Sequence, residues 1–325
     1  MTANNHKEVR NVLVTGANGF IGRALCHRLL SEGYNVSAVV RQLSKPIDRV
    51  NYLVADLERS NDLSLEGLGI DCIVHLAGRA HVLGEKNAGA LELYRLANRD
   101  ATVRLAQLAI AAGVMRFVYI SSIGVNGSET YTGAFDERTT AHPHADYAVS
   151  KYEAELQLNA MMKTLPIESV IVRPPLVYDV QAPGNFARLL RLVSSGLPLP
   201  FAALDNKRSM ISLKNLVGFI ELCIRHPDAA RELFLVSDGC DLSTTDIVKL
   251  LAEGMGKRPF MFPIPDSLAL FGAKLIGRQN LHVQLFRSLQ VDSSKARRLL
   301  GWHPEEDARA ALIEVGSSWN RRYSR

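Results

Sequence analysis

The sequence predicts a doubly wound α/β architecture, a parallel sheet with helices on both faces, followed by a smaller C-terminal lobe. Short runs rich in β-branched residues alternate with helical stretches along the first half, as they do in βαβ units. Those runs are nearly continuous in apolar residues, the pattern of strands covered on both faces. After Arg173-Pro174-Pro175 the texture changes to prolines, short strands and shorter helices. Residues 1–175 are therefore expected to build the sheet unit and 176–325 mainly the second lobe, with some later segments returning to the sheet.

Six strands are read in order: Val12-Leu13-Val14, Asn35 to Val40, Tyr52 to Ala55, Cys72 to Leu76, Phe117 to Ile120 and Ser169 to Val172. Helical periodicity fills Phe20 to Leu30, Leu91 to Ala112 and Tyr147 to Met162. In the second lobe, Asn185 to Ser195, Leu213 to Arg225 and Thr244 to Glu253 read as helices. Ser243, with Asp246 three residues on, opens the last of these as a variant capping box. Leu299-Leu300-Gly301-Trp302-His303-Pro304 ends a short helix with Gly and Pro, and a final helix is expected from about Glu306.

With 325 residues, 47% hydrophobic and 22% charged, the chain can fill a sizeable core, which excludes global disorder and a small disulfide scaffold. The net charge of +5 favours anionic ligands without choosing among them. The basic pairs Lys257-Arg258, Arg297-Arg298 and Arg321-Arg322 lack interleaved aromatics, so no nucleic-acid partner is expected. Cys26, Cys72, Cys223 and Cys240 form no CxxC pair and read as reduced, buried thiols. The longest apolar run, Leu268 to Ile276, carries Lys274 and falls short of the roughly 18 residues of a membrane span. No signal core opens the chain, so a cytoplasmic protein without a transmembrane segment is expected. His142-Pro143-His144 lacks a third ligand in register, and no metal is expected.

Val14-Thr15-Gly16-Ala17-Asn18-Gly19-Phe20-Ile21-Gly22 runs strand, glycine-rich turn, helix. Gly16 suits the tight turn, Gly19 the close approach of backbone to a pyrophosphate, and Gly22 the packing of helix on sheet. The amides of Asn18, Gly19, Phe20 and Ile21 then face negative charge at a helix N-terminus. At the end of the second strand, where an acid would hold ribose hydroxyls, Arg41 stands instead. A cation there attracts a 2′-phosphate, so NADP(H) is favoured, with NAD(H) possible. Asp56-Leu57 after the third strand offers an acceptor to an adenine amino group. Leu76-Ala77-Gly78 after the fourth is small enough for a dinucleotide to lie against.

Tyr147 and Lys151 stand at i and i+4 on one helix face. A phenol near its reference pKa of about 10 is a poor base, and a neighbouring ammonium favours the phenolate. Ser121-Ser122 closes the fifth strand at the carboxyl edge, where a hydroxyl can hydrogen-bond a substrate oxygen and share a proton with Tyr147.

Taken together, these stretches resemble the extended short-chain dehydrogenase/reductase family, in particular its nucleotide-sugar epimerase, dehydratase and reductase branch. The resemblance rests on residues 15–22, His75-Leu76-Ala77, Asn98, Ser121-Ser122, Tyr147 to Lys151, residues 173–178 and Leu300-Gly301-Trp302-His303-Pro304. It implies a Rossmann-type dinucleotide-binding domain, with Pro174 beside the cofactor. It further implies a triad of Ser122, Tyr147 and Lys151, and an asparagine, Asn98, that steadies the active-site helix and a water. Two departures narrow the branch. Ile123-Gly124 follow Ser122 where sugar dehydratases carry an Asp-Glu pair, which disfavours dehydration. Val125-Asn126-Gly127 replaces the common Val-Tyr-Gly and looks like bacterial UDP-4-keto-6-deoxy-N-acetylhexosamine reductases and related 4-epimerases of surface-polysaccharide (O-antigen) biosynthesis.

For the nucleotide diphosphate of a UDP-sugar, Asn185, Arg208 and Arg287 are the candidates: Asn185 opens a helix, and Arg208 resembles the family's phosphate-gripping arginine. His81 and Glu85 either face the sugar or cap a loop. The first expectation is an NADPH-dependent reductase of the C4 ketone of a UDP-linked hexose. The alternative is an NAD-dependent UDP-hexose 4-epimerase, and the distant one a non-enzymatic dinucleotide sensor. A homodimer is a possible assembly.

Overall fold

The computed structural model describes residues 9–59, 63–80, 89–275, 277 and 279–323. Its strands are β1 (Asn11–Thr15), β2 (Asn35–Val40), β3 (Val50–Val54), β4 (Cys72–His75), β5 (Arg116–Ile120), β6 (Glu168–Arg173), β7 (Leu176–Tyr178), β8 (Met210–Ser212) and β9 (Leu233–Leu235). Seven form one sheet in the order β3-β2-β1-β4-β5-β6-β9, and every pairing is parallel. The order reverses between β1 and β4, so a crevice opens there at the carboxyl ends of the strands. Its last strand, β9, comes from beyond residue 175, so the C-terminal part contributes to the sheet as well as to the second lobe.

Strand alternation distributes the core. Val12 and Val14 of β1 face one layer with Val36, Ala38, Cys72 and Val74, while Leu13 faces the other with Ile73, Phe117 and Tyr119. The first layer is covered by α1 (Phe20–Ser31), the second by α3 (Ala101–Ala111) and α4 (Asp146–Met162). A short helix, α2 (Ala90–Tyr94), precedes α3, and α5 (Gly184–Ser194) follows α4. Next, α6 (Leu213–Arg225) returns to the α1 side, where Phe219 meets Trp302 with ring centroids 5.1 Å apart. The remaining helices are α7 (Thr244–Gly254), α8 (Asp266–Leu275), α9 (Gln279–Phe286), α10 (Ser294–Leu300) and α11 (Ala308–Tyr323). The second lobe has its own core, in which Tyr178, Phe186, Leu251, Leu312 and Trp319 join α5, α7 and α11. The Ser243–Asp246 capping box opens α7. Of the cysteines, Cys26, Cys72 and Cys223 are buried, whereas Cys240 is only half-buried.

Three differences from the sequence expectation have physical causes. The helix expected from Leu91 to Ala112 is interrupted by a π-helical turn, Arg95–Asp100, which carries Asn98. The final helix begins at Ala308 rather than Glu306, because both backbone groups of Glu306 are bound by the Asn215 amide at 3.0 Å and Asp307 then accepts from the amides of Arg309 and Ala310. Helices α8 and α9 bury, respectively, no residue and His282 alone, so their apolar side chains do not mark a face turned to the core, the pattern by which surface helices are usually recognised.

The active-site helix α4 is anchored through a buried ion pair. Arg173 of β6 and Glu155 of α4 are 5% and 3% exposed, and Arg173 also donates to the Asn126 Oδ1 at 2.9 Å. Removing one partner of such a pair leaves an uncompensated buried charge. Glu155→Ala is expected to cost roughly 3–5 kcal/mol in urea unfolding, and the double variant Glu155→Leu/Arg173→Met clearly less. Equal losses for the two would show that the ion pair is not the origin of the effect.

Candidate active site

The glycine turn closes on itself through Gly19 N donating to the Gly16 carbonyl at 2.8 Å. Gly16 lies at φ 69°, and a Cβ on it would stand 2.8 Å from the Ala77 nitrogen. A Cβ on Gly22 would stand 2.2 Å from the Gly16 carbonyl oxygen, so helix α1 sits directly on the turn. Asn18 ties the turn to the next loop by donating to the Gln42 carbonyl at 2.9 Å. Phe20 packs on the second lobe's core and Ile21 on the sheet's, which leaves their backbone amides for the crevice. These residues fit a dinucleotide: close backbone at the turn, free amides at the helix start, and the small Ala77-Gly78 segment opposite.

Beneath the turn lies a buried hydrogen-bond chain. Thr102 Oγ1 donates to the Asn98 carbonyl at 2.6 Å, so it accepts from His75 Nε2 at 2.9 Å. His75 Nδ1 must then be the bare nitrogen, accepting from Thr15 Oγ1 at 2.6 Å, and Thr15 Oγ1 accepts from the Ala77 amide at 3.1 Å. Every link has one direction, and the imidazole is neutral. Burial, seconded by the charge of Lys151, pushes its pKa down to about 3. His75 appears in the sequence motif, but its link to Thr15 and Thr102 joins three separated segments and has no local signature.

Asn98 is clasped on both sides. Its Oδ1 accepts from the Arg79 amide at 2.8 Å, and its Nδ2 donates to the Arg79 carbonyl at 3.1 Å and to Ser150 Oγ at 2.9 Å. Ser150 donates in turn to the Tyr147 carbonyl at 2.8 Å. Gly78 backs onto the same place, where a Cβ would meet Asn98 Oδ1 at 2.8 Å and Lys151 Nζ at 3.4 Å. Ser122 caps the short 3-10 turn Ile123–Val125 by accepting from the Gly124 amide at 3.1 Å, and its hydroxyl also bonds Tyr147. Burial pushes the Tyr147 phenol up to about 12, against that hydrogen bond. Lys151 is buried, donates to the Ile120 carbonyl at 3.0 Å and lies 4.7 Å over the Tyr119 ring. Burial brings its pKa down to about 8, with Glu155 one turn further along acting the other way. The structure thus gathers Ser122, Tyr147, Lys151 and Asn98 with Gly78 at the carboxyl edge of β4 and β5. Tyr94, whose ring centroid lies 6.3 Å from that of Tyr147, joins them without having been expected.

Other candidates fall differently. Arg41 is 76% exposed, and its guanidinium faces the Glu58 carboxylate at 3.9 Å, so the cation read as a 2′-phosphate partner stands beside an acid that would repel one. Asp56 accepts from the Glu58 amide within its own turn, and Leu57 packs on the α3/α4 side of the sheet. Leu76 packs on the α1 side. Pro174 is buried and accepts from the Ile123 amide at 3.0 Å. Asn126, part of the Val125-Asn126-Gly127 variant read as similar to the reductases and related 4-epimerases, is buried with its Oδ1 on Arg173. His81 and Glu85 lie outside the described residues. His142 and His144 stack edge to face, and no metal-ligating cluster occurs among the described residues.

Asn185, Arg208 and Arg287 converge on α9. Asn185 donates to Gln284 Oε1 at 2.6 Å, and Arg208 donates to the Arg287 carbonyl at 3.1 Å. Arg287 pairs with Asp266 at 2.9 Å and lies 3.8 Å from Glu129. Arg208 is held low, at about 10, by burial alone; among the described residues no carboxylate offsets it.

The chain matches the NAD dependent epimerase/dehydratase family over residues 12–236. It is 43% identical to a UDP-glucose 4-epimerase of Vibrio cholerae over 98% of both chains. It is 25% identical to the N-acetyl-alpha-D-glucosaminyl-diphospho-ditrans,octacis-undecaprenol 4-epimerase of Escherichia coli O157:H7, over 81% of this chain and 77% of that one. Among solved structures, MoeE5 in complex with UDP-glucuronic acid and NAD superposes with a TM-score of 0.77 at 26% identity, covering 96% of this chain and 99% of that one.

The neutral His75 makes a pH prediction. Its folded pKa, about 3, lies below the ordinary 6.5, so between those values the unfolded chain binds the extra proton. The stabilisation is complete above pH ~6.5 and is lost as pH falls towards 3. Urea unfolding free energies at pH 7 and pH 5 are expected to differ by roughly 1–2 kcal/mol more in the parent than in His75→Gln. Parallel pH dependences would mean that His75 is not buried as the neutral link.

Proposed function

The chain belongs to the NAD dependent epimerase/dehydratase family, and we propose that within it the protein is an NAD-dependent 4-epimerase of a UDP-linked hexose. The observation that carries this reading is the full-length likeness to a UDP-glucose 4-epimerase, joined to a Ser122, Tyr147 and Lys151 set at the switch point of the sheet. One feature favours it over a reductase using NADPH: Glu58 beside Arg41 suits ribose hydroxyls better than a 2′-phosphate.

In this reading Tyr147 takes the proton of the sugar C4 hydroxyl and later returns it, while Ser122 holds the C4 oxygen and steers it towards the phenol. A dinucleotide held by the Gly16–Gly22 turn and the Ala77-Gly78 segment would supply the hydride acceptor and donor for C4. The phenol, raised by burial, needs a neighbouring cation to ionise at neutral pH. Lys151 supplies one, and Glu155 favours its charged form. Between the two transfers the sugar must turn over without leaving, so the grip has to lie on the diphosphate. Arg208 suits that task, being a burial-depressed cation lacking a counter-ion among the described residues. Arg287, already paired with Asp266 and Glu129, is the weaker contributor.

The direct test is to incubate the purified protein with UDP-glucose or UDP-N-acetylglucosamine and follow C4 configuration by NMR. Interconversion without net consumption of NAD supports the epimerase. Consumption of NADPH by a UDP-4-keto sugar, with no interconversion, would restore the reductase. Tyr147→Phe is expected to retain cofactor and lower turnover by about 10² to 10⁴, and turnover within a few-fold of the parent would remove Tyr147 from the mechanism. Arg208→Ala is expected to raise the UDP dissociation constant roughly tenfold or more by calorimetry, with the parent's affinity falling as salt rises.

A further inference from the structure

We propose that α8 and the segment leading into it form a docking surface for an anionic membrane leaflet, on which the protein lies without crossing the bilayer. Helix α8 buries none of its ten residues. Leu268, Phe271 and Leu275 are 56%, 58% and 72% exposed, and their spacing of i, i+3 and i+7 sets them in one stripe along the helix. Just upstream, the segment around Met261 pairs with Leu199, Met261 itself packs on the second lobe's core, and Phe260 on the other side is 65% exposed. Exposed large apolar side chains scattered singly are ordinary, but a stripe with an aromatic beside it in sequence marks an interaction surface.

Charge selects the occupant. Lys257, Arg258 and Lys274 bracket the stripe, and the segment 257–275 contains a single acid, Asp266. The carboxylate of Asp266 is bound by His282 at 2.8 Å and by Arg287 at 2.9 Å. The side chain of Lys257 reaches the Ser194 carbonyl, and no carboxylate pairs with Arg258 or Lys274 among the described residues. An apolar stripe flanked by cations whose stems can lie along the surface is the composition of an interfacial helix. No described helix is long and apolar enough to span a bilayer. The surface also adjoins Arg287, which Asp266, the first residue of α8, holds at 2.9 Å. This inference does not rest on the sugar substrate, because it is read by vesicle binding.

The test uses the full chain with vesicles of phosphatidylcholine alone and of phosphatidylcholine mixed with phosphatidylglycerol, separated by sedimentation. The parent is expected to sediment with the mixed vesicles, less so as salt rises, and to remain largely in solution with phosphatidylcholine alone. Leu268→Glu/Phe271→Glu is expected to lower the partition coefficient at least tenfold, and Arg258→Glu/Lys274→Glu by about as much, with thermal midpoints near the parent's. Absence of the parent from both pellets would overturn the proposal, as would variants that bind like the parent. It would equally fall if the parent were a dimer by light scattering and Leu268→Glu/Phe271→Glu a monomer, for a second copy would then cover the stripe.

Discussion

The carboxyl edge of the sheet depends on one hydrogen-bond chain, from the Ala77 amide through Thr15, His75 and Thr102 to the Asn98 carbonyl. It joins the end of β1, the end of β4 and the helical layer above them, the three places from which a dinucleotide crevice is built. Each hydroxyl in the chain both accepts and donates, and the imidazole converts one direction into the next. A second proton on the ring would leave the Thr15 hydroxyl with no acceptor and add a charge near Lys151. The low pKa of His75 and the geometry of the glycine turn therefore express the same constraint. A π-helical turn at Arg95–Asp100 belongs to it too, since that turn carries Asn98, whose carbonyl ends the chain and whose amide binds Arg79 and Ser150.

Charge is placed along α4 with equal economy. Tyr147, Lys151 and Glu155 follow at intervals of four, so they lie on one side of the helix. Burial acts on the first two in opposite senses, raising the phenol and lowering the ammonium, which moves their proton affinities apart and favours the neutral form of each. Glu155 checks the fall of Lys151, and its own burial is offset by Arg173. The same arginine holds Asn126 behind the 3-10 turn that Ser122 caps. One buried ion pair thus supports both the helix carrying Tyr147 and the turn after Ser122.

The sheet was legible because its signals are local. Continuous apolar runs, the Gly16–Gly22 spacing and the capping of α7 each concern neighbours in sequence. The ordering of β1, β2 and β4 follows from the glycine turn and the parallel connections that helices impose. Of the gathered residues, Ser122, Tyr147 and Lys151 are read from a strand end and an i, i+4 pair, whereas Asn98 is reached only through the family resemblance. What escaped depends on partners far apart in the chain. The interruption at Arg95–Asp100 answers to contacts with Arg79 and Ser150, and helical periodicity alone does not register it. The neighbour of Arg41 escaped because Glu58 comes seventeen residues later, after another strand. The bond between Asn126 and Arg173 escaped for the same reason, since the partner lies on a strand far along the chain.

The second lobe shows the opposite balance, since its chemistry is set by what its charges lack. Arg208 and Arg287 are alike in sequence in that each is an arginine followed by a serine. Folding gives Arg287 two carboxylates and, among the described residues, gives Arg208 none. A half-buried guanidinium without a counter-ion is costly, so Arg208 carries a desolvation penalty that Arg287 largely escapes. Arg287 does the structural work in turn: its pairing with Asp266 fixes the start of α8, and its carbonyl receives Arg208. A helix that buries nothing of its own is thus held in place by an arginine whose backbone also fixes the side chain of Arg208.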